Sequence, residues 1–376
     1  MNTKKIRDAT FTIHRYLGLI IGAIAVIIGL TGSILVFYPE INQLMIKEKV
    51  GTVTPQTESV SLTQMKDKIE SVYGIEPYFV DFPKQPNQVY QFWLTTPEET
   101  YTEVFVNPYT GEILGDRPWE TSLFGIVYQL HYQLLAGETG TVIAGIAAFF
   151  MFVLSFTGIV LWPGWRKLIA GFKIKWKAHP KRVNFDLHKV VGIVAAMFLG
   201  AIALTGFAWN FSDKSTPIIY AATFTPKPSE PASIPIPGQS PLSVEAILSK
   251  VELALPSANK LRSLTFPQNP TDAFRVRKRL PSQLNPHDSV RVYLDQYSGK
   301  VLHIDNPLNP NNRAEAVLNA FTPIHFGTFG GLPTRIFYVF VGLTPAILFV
   351  TGLVMWSYRK PSSRKKLPEY SDSHRG

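Results

Sequence analysis

The chain of 376 residues carries 37 Lys and Arg against 27 Asp and Glu, and its formal net charge of +10 raises the question of a nucleic-acid partner. It contains no cysteine, which excludes disulfides, thiolate metal sites, iron–sulfur clusters and covalently attached c-type haem. What the positive charge indicates depends on where it lies along the chain.

Four blocks without Asp, Glu, Lys, Arg or His are the first predicted elements, and they lie at residues 17–38, 141–162, 190–211 and 336–358. A bilayer core of about 30 Å needs about 20 helical residues, so each block predicts a transmembrane helix. Basic residues cluster beside these blocks, at 4–7, 166–182 and 359–366. By the positive-inside rule both termini and the short middle loop are predicted to be cytoplasmic. The positive charge therefore indicates a lipid bilayer as partner and no nucleic acid.

The predicted organisation follows from these spans. In chain order it comprises a cytoplasmic N-terminus with the first span (1–38), a first extracytoplasmic domain (39–130), the second span with the outer segment before it (131–162), a basic cytoplasmic loop (163–187), the third span (188–211), a second extracytoplasmic domain (212–330), the fourth span (331–358) and a cytoplasmic tail (359–376). The predicted fold class is an α-helical membrane protein with four transmembrane helices and two small domains outside the bilayer.

Both extracytoplasmic domains are predicted to be small α+β units. Residues 102–115 and 290–302 each contain an alternating strand, a turn with Gly at its tight position and a second strand, which indicates a β-hairpin. Residues 62–72 and 243–253 are amphipathic and predict one helix in each domain. A Pro-rich stretch at 225–241 indicates a linker between span and domain.

The two halves of the chain match each other, which indicates an internal duplication. The corresponding residues are His14 and His188, Thr31-Gly32 and Thr205-Gly206, His131 and His325, and Thr157-Gly158 and Thr351-Gly352. The interval from histidine to threonine is the same in both halves, seventeen residues in the first case and twenty-six in the second. Each half contains an even number of spans, so we predict two parallel repeats related by an axis along the membrane normal.

The four repeated histidines are candidate ligands of haem iron. The repeat places His14 opposite His188 on the cytoplasmic side and His131 opposite His325 at the outer surface. Imidazole supplies axial nitrogen to haem iron, and helical bundles build such sites from facing helices. The two pairs therefore predict two bis-histidine haem b groups, with the Thr-Gly steps packed where the helices approach the flat porphyrin.

Other interpretations of these residues stay open. The histidines also suit packing or interfacial imidazole, and the Thr-Gly steps suit close helix packing alone. A zinc site is less well supported, because zinc normally takes four ligands and only Asp186, beside His188, offers a nearby carboxylate. The remaining histidines have no counterpart in the other half, and we expect only solvent or local hydrogen bonds for His179, His287, His303 and His374.

The pattern as a whole resembles the PepSY-associated transmembrane helix family, iron-regulated membrane proteins of bacteria that include siderophore reductases. The resemblance covers essentially the whole chain, and its carriers are residues 14–18, 31–32, 106–112, 130–138 and 186–189 with the Thr-Gly steps. It implies PepSY-type extracytoplasmic domains, haem ligation by His14, His131, His188 and His325, a place in the bacterial inner membrane and a role in iron uptake. In the second half Ser298 replaces the hairpin Thr, and the segment 323–327 matches the family pattern more loosely.

Two haems at opposite faces predict a transmembrane electron-transfer protein. Electrons from a quinol or a cytoplasmic reductase would reduce the ferric iron of a siderophore or other chelate on the periplasmic side, which would make the chain a ferric-chelate reductase. The alternatives are a transporter of haem or chelate, and a membrane-anchored PepSY binding or regulatory module without redox activity. The cluster Arg275, Arg277, Lys278 and Arg279 suits either an anionic chelate or a solvated, headgroup-facing surface.

Overall fold

The computed structural model describes residues 3–256, 260–279 and 289–358. The predicted cytoplasmic tail at 359–376, together with His287 and His374, lies outside the described residues. Within them the helices are α1 (Thr3–Leu35), α2 (Tyr38–Val50), α3 (Leu62–Tyr73), α4 (Leu123–Gln133), α5 (Gly137–Leu161), α6 (Leu168–Phe172), α7 (Pro180–Asn210), α8 (Ser212–Ala222), α9 (Val244–Ala254), α10 (Arg313–Phe326) and α11 (Leu332–Ser357). The strands are β1 (Phe79–Asp81), β2 (Tyr90–Thr95), β3 (Tyr101–Val106), β4 (Ile113–Pro118), β5 (Leu261–Thr265), β6 (Phe274–Arg279), β7 (Ser289–Leu294) and β8 (Val301–Asp305).

Four helices, α1, α5, α7 and α11, are long and apolar enough to cross a membrane, which confirms the prediction of four membrane helices. Helices α1 and α7 begin well before their apolar blocks, because the polar residues that carry His14 and His188 continue the same helix. Helix α1 packs against α5 and α11, and α7 packs against the same two helices. The four helices therefore form one bundle.

Small residues allow close approach within this bundle. A Cβ atom added to Gly29 of α1 would lie 2.5 Å from the carbonyl oxygen of Gly342 in α11, so only glycine fits at this crossing. The hydroxyl of Ser33, one turn further along α1, lies 2.9 Å from the carbonyl oxygen of Val339. Helices in a membrane associate through such van der Waals contacts and interhelical hydrogen bonds.

Outside the bundle, the eight strands form one antiparallel sheet in the order β4-β3-β2-β1-β5-β6-β7-β8. The strands of the two predicted domains join where Val80 of β1 pairs with Leu264 of β5. Helices α3 and α9 cover one face of the sheet and share a continuous apolar core with it. The carboxylate of Glu245 in α9 accepts hydrogen bonds from the backbone N–H and the hydroxyl of Thr63 in α3, at 3.1 and 2.7 Å. The two units predicted separately thus share a sheet and a core.

The local elements predicted outside the spans are present. Strand β3 pairs with β4 and β7 pairs with β8, as the two hairpin patterns indicate. Their turns place Gly111 and Gly299 at φ values of +64° and +66°, in the left-handed region that favours glycine. Helices α3 and α9 match the two amphipathic segments. Residues 225–241 contain neither helix nor strand, as expected of a linker.

The second face of the sheet meets the segments that lead into the bundle. Helix α2 follows α1, and the amide oxygen of its Asn42 accepts a hydrogen bond from Arg117 of β4 at 2.8 Å. Helix α10 precedes α11, and Asn319 in α10 donates to the carboxylate of Asp305 in β8 at 3.4 Å. This face of the sheet is therefore turned toward the end of the bundle where α4 and α10 lie.

Candidate functional site

The structure brings the four repeated histidines together as two facing pairs. His14 of α1 and His188 of α7 have ring centroids 6.4 Å apart and ring planes at 85°. His131 of α4 and His325 of α10 have centroids 6.2 Å apart and planes at 82°. Each pair unites one histidine from each half of the chain. The two pairs have nearly the same geometry although no element is shared between them.

Each histidine is held by the threonine that the sequence analysis singled out. The distance from imidazole Nδ1 to threonine Oγ1 is 2.9 Å for His14 with Thr157, 2.8 Å for His188 with Thr351, 3.1 Å for His131 with Thr31 and 2.8 Å for His325 with Thr205. In every case the histidine and the threonine belong to the same half of the chain. Among the described residues, the hydrogen bonds of these four rings are all made through Nδ1.

The surroundings of the threonines determine which ring nitrogen carries the proton. Nδ1 of His131 lies 3.0 Å from the carbonyl oxygen of Ile28, three residues before Thr31. The other three histidines face the equivalent carbonyls of Leu154, Leu348 and Ile202. A carbonyl oxygen only accepts, so Nδ1 carries the hydrogen and Nε2 presents a lone pair. The threonine oxygen also accepts from Nδ1–H, because its own hydroxyl donates to a carbonyl of its helix, as at 2.7 Å from Ile27 for Thr31.

The glycine after each threonine gives the imidazole its space. A Cβ atom would lie 2.9 Å from Cε1 of His131 if built on Gly32, and 3.2 Å from Cε1 of His325 if built on Gly206. The corresponding distances are 3.3 Å for Gly158 with His14 and 3.8 Å for Gly352 with His188. The Thr-Gly steps were predicted to pack against a porphyrin. In the structure they contact the histidine rings. The threonine hydroxyl is hydrogen-bonded to Nδ1, and the glycine, which has no side chain, leaves space for the edge of the ring.

The separation of the rings fits one metal ion shared by both imidazoles of a pair. With a metal–nitrogen bond of about 2.0 Å and about 1.1 Å from a ring nitrogen to the ring centre, two imidazoles on opposite sides of one metal place their centroids about 6.2 Å apart. The observed centroid distances are 6.4 and 6.2 Å. Metal-ligating histidines commonly donate their second ring N–H to a protein oxygen, as all four do here.

We call His14 and His188 the inner pair and His131 and His325 the outer pair, after the sides of the membrane on which they are predicted to lie. A cavity of about 690 Å³ adjoins the inner pair and is lined by residues of all four spans. Its walls are mostly apolar and include the small residues Gly18, Gly22, Gly158, Gly192 and Gly352. Within the part of the chain that the structure describes, three buried polar atoms on its lining have no hydrogen-bond partner: Ser155 Oγ, Trp162 Nε1 and Arg15 Nε. The cavity therefore suits a flat apolar group that also carries hydrogen-bond acceptors. The sequence did not point to Ser155, and it gave Arg15 and Trp162 no place at this site.

The carboxylate considered as a further ligand has other partners. Asp186 is fully buried, and its carboxylate accepts from Lys189 at 2.7 Å and from Arg182 at 3.1 Å. Lys189 also donates to the carbonyl oxygens of Ala170 and Lys173, which anchors the basic loop to α7. Across residues 3–256, 260–279 and 289–358, no group of three or more His, Asp or Glu side chains converges as metal ligands do. A metal ion held by either histidine pair would thus have two protein ligands among these residues.

Two histidines without a counterpart have local roles, as expected. His179 caps α7, where its Nδ1 accepts from the backbone N–H of Lys181 at 3.3 Å. His303 of β8 lies beside the ring of Tyr293, with centroids 5.9 Å apart.

The protein combines four apolar helices, an extramembrane β-sheet and two facing histidine pairs at opposite ends of the bundle. It is therefore a membrane protein of the kind that can hold a prosthetic group between helices. A family model described as the PepSY-associated TM region matches residues 11–359, and the chain belongs to this family. A comparison with curated proteins gave no match.

Proposed function

We propose that the protein holds two haem b groups, one between His14 and His188 and one between His131 and His325, and that it conducts electrons across the bacterial inner membrane to a ferric chelate. The observation that carries this proposal is the two facing pairs of imidazoles. In all four rings Nδ1 is hydrogen-bonded, and Nε2 has no hydrogen-bond partner among the described residues. On α1, seventeen residues separate His14 from Thr31 of the other level, which corresponds to about 26 Å along the helix.

The residues present fit such a group. Each pair would supply two imidazole nitrogens to the iron, and a haem b held there would provide a reversible one-electron couple. The threonine and the carbonyl three residues before it hold each imidazole in the tautomer that ligates through Nε2. At the inner pair, Arg15 and Trp162 offer unused donors to the acidic groups of a porphyrin edge.

The two halves of the chain are inferred to be copies of one unit, arranged in parallel. Each facing pair takes one histidine from each half, and each histidine binds a threonine of its own half. The sheet supports the same interpretation, because its strand order runs outward from the β1–β5 junction in both directions. The four strands on either side then correspond to one PepSY-type unit each.

The direction of electron flow follows from the predicted topology. The basic loop at 163–187 lies beside the His14/His188 pair through Lys189 and Asp186, and the positive-inside rule places this loop in the cytoplasm. Electrons from a quinol or a cytoplasmic reductase would therefore enter near the inner pair. They would leave near the outer pair, where one electron converts a chelated ferric ion to ferrous iron, which hard oxygen ligands hold less tightly.

An optical spectrum of the purified protein tests the proposal. We expect a reduced-minus-oxidised α band of low-spin haem and about two haems per chain. His14→Ala and His131→Ala should each remove roughly half of this band. His303→Ala makes the same chemical change outside the bundle and should leave the band intact. A colourless protein from haem-replete cells would overturn the proposal and favour a transporter or a PepSY regulatory module.

Reduction of the substrate is tested separately. Protein reduced with dithionite and freed of excess reductant should be reoxidised by a ferric chelate, with ferrous iron trapped by a ferrous-specific phenanthroline dye. His131→Ala should slow this transfer more than His14→Ala, because the outer pair lies next to the substrate. Equal rates in wild type and His131→Ala would show that iron is not reduced at the outer pair.

A further inference from the structure

A row of polar side chains crosses the sheet on the face opposite α3 and α9. Backbone pairing places its members directly opposite one another: Asp81 with Ser263, Ser263 with Arg277, Arg277 with Arg291, and Arg291 with Asp305. Directly paired residues point to the same side of a sheet, so the five side chains form one line across four strand junctions. We call these five residues the arginine row.

The arginine row lies in an excess of positive charge. Arg277 and Arg291 are directly paired, and like charges in that position destabilise a sheet. Nη1 of Arg291 donates to the carboxylate of Asp305, whereas its Nε has no partner among the described residues. Arg275 and Arg279 alternate with Arg277 along β6 and lie on the same face. Burial lowers the pKa of Arg277 to about 10, and repulsion from Arg275, Arg291 and Arg262 acts in the same direction. The charge of Asp81 opposes this shift in the pKa of Arg277.

Several donors of the arginine row are buried and unused. Ser263 is 1% exposed, and its hydroxyl has no hydrogen-bond partner among the described residues. The Nε atoms of Arg277 and Arg291 and the indole nitrogen of Trp93, on the same face, are likewise buried and unpaired. A solvated arginine surface would leave these nitrogens in contact with water. Buried donors without partners are costly, and a native structure keeps them where an acceptor binds.

The sheet face that carries the arginine row also contacts the two helices of the outer histidine pair. The ring of Trp93 contacts Trp119, which contacts Tyr128 on α4, the helix that carries His131. At the other end of the row, Asp305 accepts a hydrogen bond from Asn319 on α10, the helix that carries His325. Side-chain contacts therefore connect this face of the sheet to both helices that form the outer pair.

We propose that the arginine row binds a small, soluble, carboxylate-bearing anion, and that the iron chelate reduced by this protein is of that negatively charged class. Guanidinium groups bind carboxylates through paired hydrogen bonds, and Ser263 adds a neutral donor between the strands. The identity of the iron substrate rests on the proposed function. The anion site itself rests only on the arginine row.

The test is a calorimetric titration of the oxidised full-length protein in phosphatidylcholine nanodiscs, with ferric citrate as the anionic probe and ferric tris(acetohydroxamate) as a neutral ferric probe. Ferric citrate should bind and the neutral complex should bind at least about tenfold more weakly. Arg277→Gln and Arg291→Gln should each weaken ferric citrate binding by a factor of about 10 to 100. Arg313→Gln, an exposed arginine on α10, is the matched control and should bind as wild type does.

Unchanged affinity in both row variants, or equal affinity for the two probes, overturns the proposal. If either variant fails to fold, as judged by its circular dichroism melt, the salt dependence of the wild-type protein provides the test. Its affinity for ferric citrate should fall steeply with added NaCl, and an affinity independent of salt would contradict the proposal. A site for lipid headgroups gives a different result. Ferric citrate would then not bind in phosphatidylcholine discs, and Arg277→Gln would reduce the phosphatidylglycerol retained through purification, an outcome that also overturns the proposal.

The titration distinguishes this proposal from the proposed function, because no electron donor is present. If the protein holds no haem and ferric citrate still binds, the anion-site proposal is supported and the proposed electron-transfer function is wrong. If the haem spectrum is present and neither Arg277→Gln nor Arg291→Gln changes the affinity for ferric citrate, the anion-site proposal is wrong and the proposed function is unaffected.

Discussion

Nδ1 of His131 and Oγ1 of Thr31 lie 3.1 Å apart although one hundred residues separate them in the chain. Thr31 is itself bonded to the carbonyl oxygen of Ile27, and the next residue, Gly32, leaves the space that the imidazole edge occupies. The same arrangement of histidine, threonine and glycine occurs four times in the bundle. Its effect is to fix both the orientation and the tautomer of each imidazole.

Loss of the threonine hydroxyl should loosen one histidine without removing it. We expect Thr31→Val to weaken haem retention at the outer pair by a factor of about 10 to 100, because metal sites lose affinity by about this much when the partner of a ligating histidine is removed. Haem titration of the purified protein measures this. Thr31→Ser keeps the hydroxyl and should retain haem.

Thr344→Val is the matched control for that experiment. Thr344 lies in α11 and its hydroxyl donates to the carbonyl oxygen of Val341 in its own helix at 2.6 Å. None of the four histidine–threonine hydrogen bonds involves Thr344. Its loss should leave both haems in place. If Thr31→Val binds haem as tightly as Thr344→Val does, the hydroxyl does not orient His131.

A methyl group at the glycine positions should have graded effects. At Gly32 the added Cβ would lie 2.9 Å from Cε1 of His131, whereas at Gly352 it would lie 3.8 Å from Cε1 of His188, an ordinary contact. We expect Gly32→Ala to displace His131 and lose the outer haem. Gly352→Ala should keep the inner haem and gain up to about 1 kcal/mol of helix stability. Spectra and thermal melts of both variants measure the difference, and equal behaviour would contradict the assigned role of Gly32.

An ion pair between distant parts of the chain should stabilise the junction of bundle and sheet. Arg335 of α11 donates two hydrogen bonds of 2.7 Å to Glu40 of α2, a third to the carbonyl of Val36, and lies over the ring of Phe37. The Arg335 side chain is 8% exposed and that of Glu40 is 50% exposed. Glu40→Ala leaves a buried guanidinium with one acceptor, so we expect a loss of about 1 to 3 kcal/mol in the free energy of unfolding. Arg335→Met should cost less, because Glu40 can be solvated.

The same pair predicts a pH dependence. Partial burial raises the pKa of Glu40, but the hydrogen bonds and charge of Arg335 outweigh it and hold this pKa below the ordinary value of 4.5. Because the pKa is lower in the folded state, the stabilisation is fully present above about pH 4.5 and is lost as the pH falls through the folded pKa. The melting temperatures of wild type and Glu40→Ala should therefore converge below pH 4.5. Glu48→Ala, an exposed change on α2, should leave the wild-type profile unaltered.

The predicted topology can be tested because the chain lacks cysteine. Lys177→Cys lies in the basic loop and Lys250→Cys lies on α9, and both positions are exposed. In intact spheroplasts a membrane-impermeant maleimide should label the Lys250→Cys protein and not the Lys177→Cys protein. After the membrane is permeabilised, both should react. The reverse labelling pattern would place the sheet in the cytoplasm and exclude periplasmic chelate reduction.

The spacing of the repeated residues was informative because a helix converts sequence separation into distance. It predicted that His14 and Thr31 lie at opposite levels of α1, and that each level holds two histidines and two Thr-Gly steps. That each threonine hydroxyl contacts a histidine ring was known only from the structure. Turn chemistry likewise predicted the two hairpins, since Gly111 and Gly299 occupy left-handed positions. The proton position on each imidazole was not accessible in this way, because it depends on a main-chain carbonyl such as that of Ile28.

The amino-acid sequence by itself determined the four membrane helices, the local strands and helices outside them, and which histidines correspond, because hydropathy, turn geometry and helical rise are local properties. Only the tertiary structure decided that β1 and β5 join the two units into one sheet, that Arg277 faces Arg291 across a strand pair, and that Arg335 reaches Glu40. These contacts depend on the register and docking of elements far apart in the chain, and no local pattern specifies them.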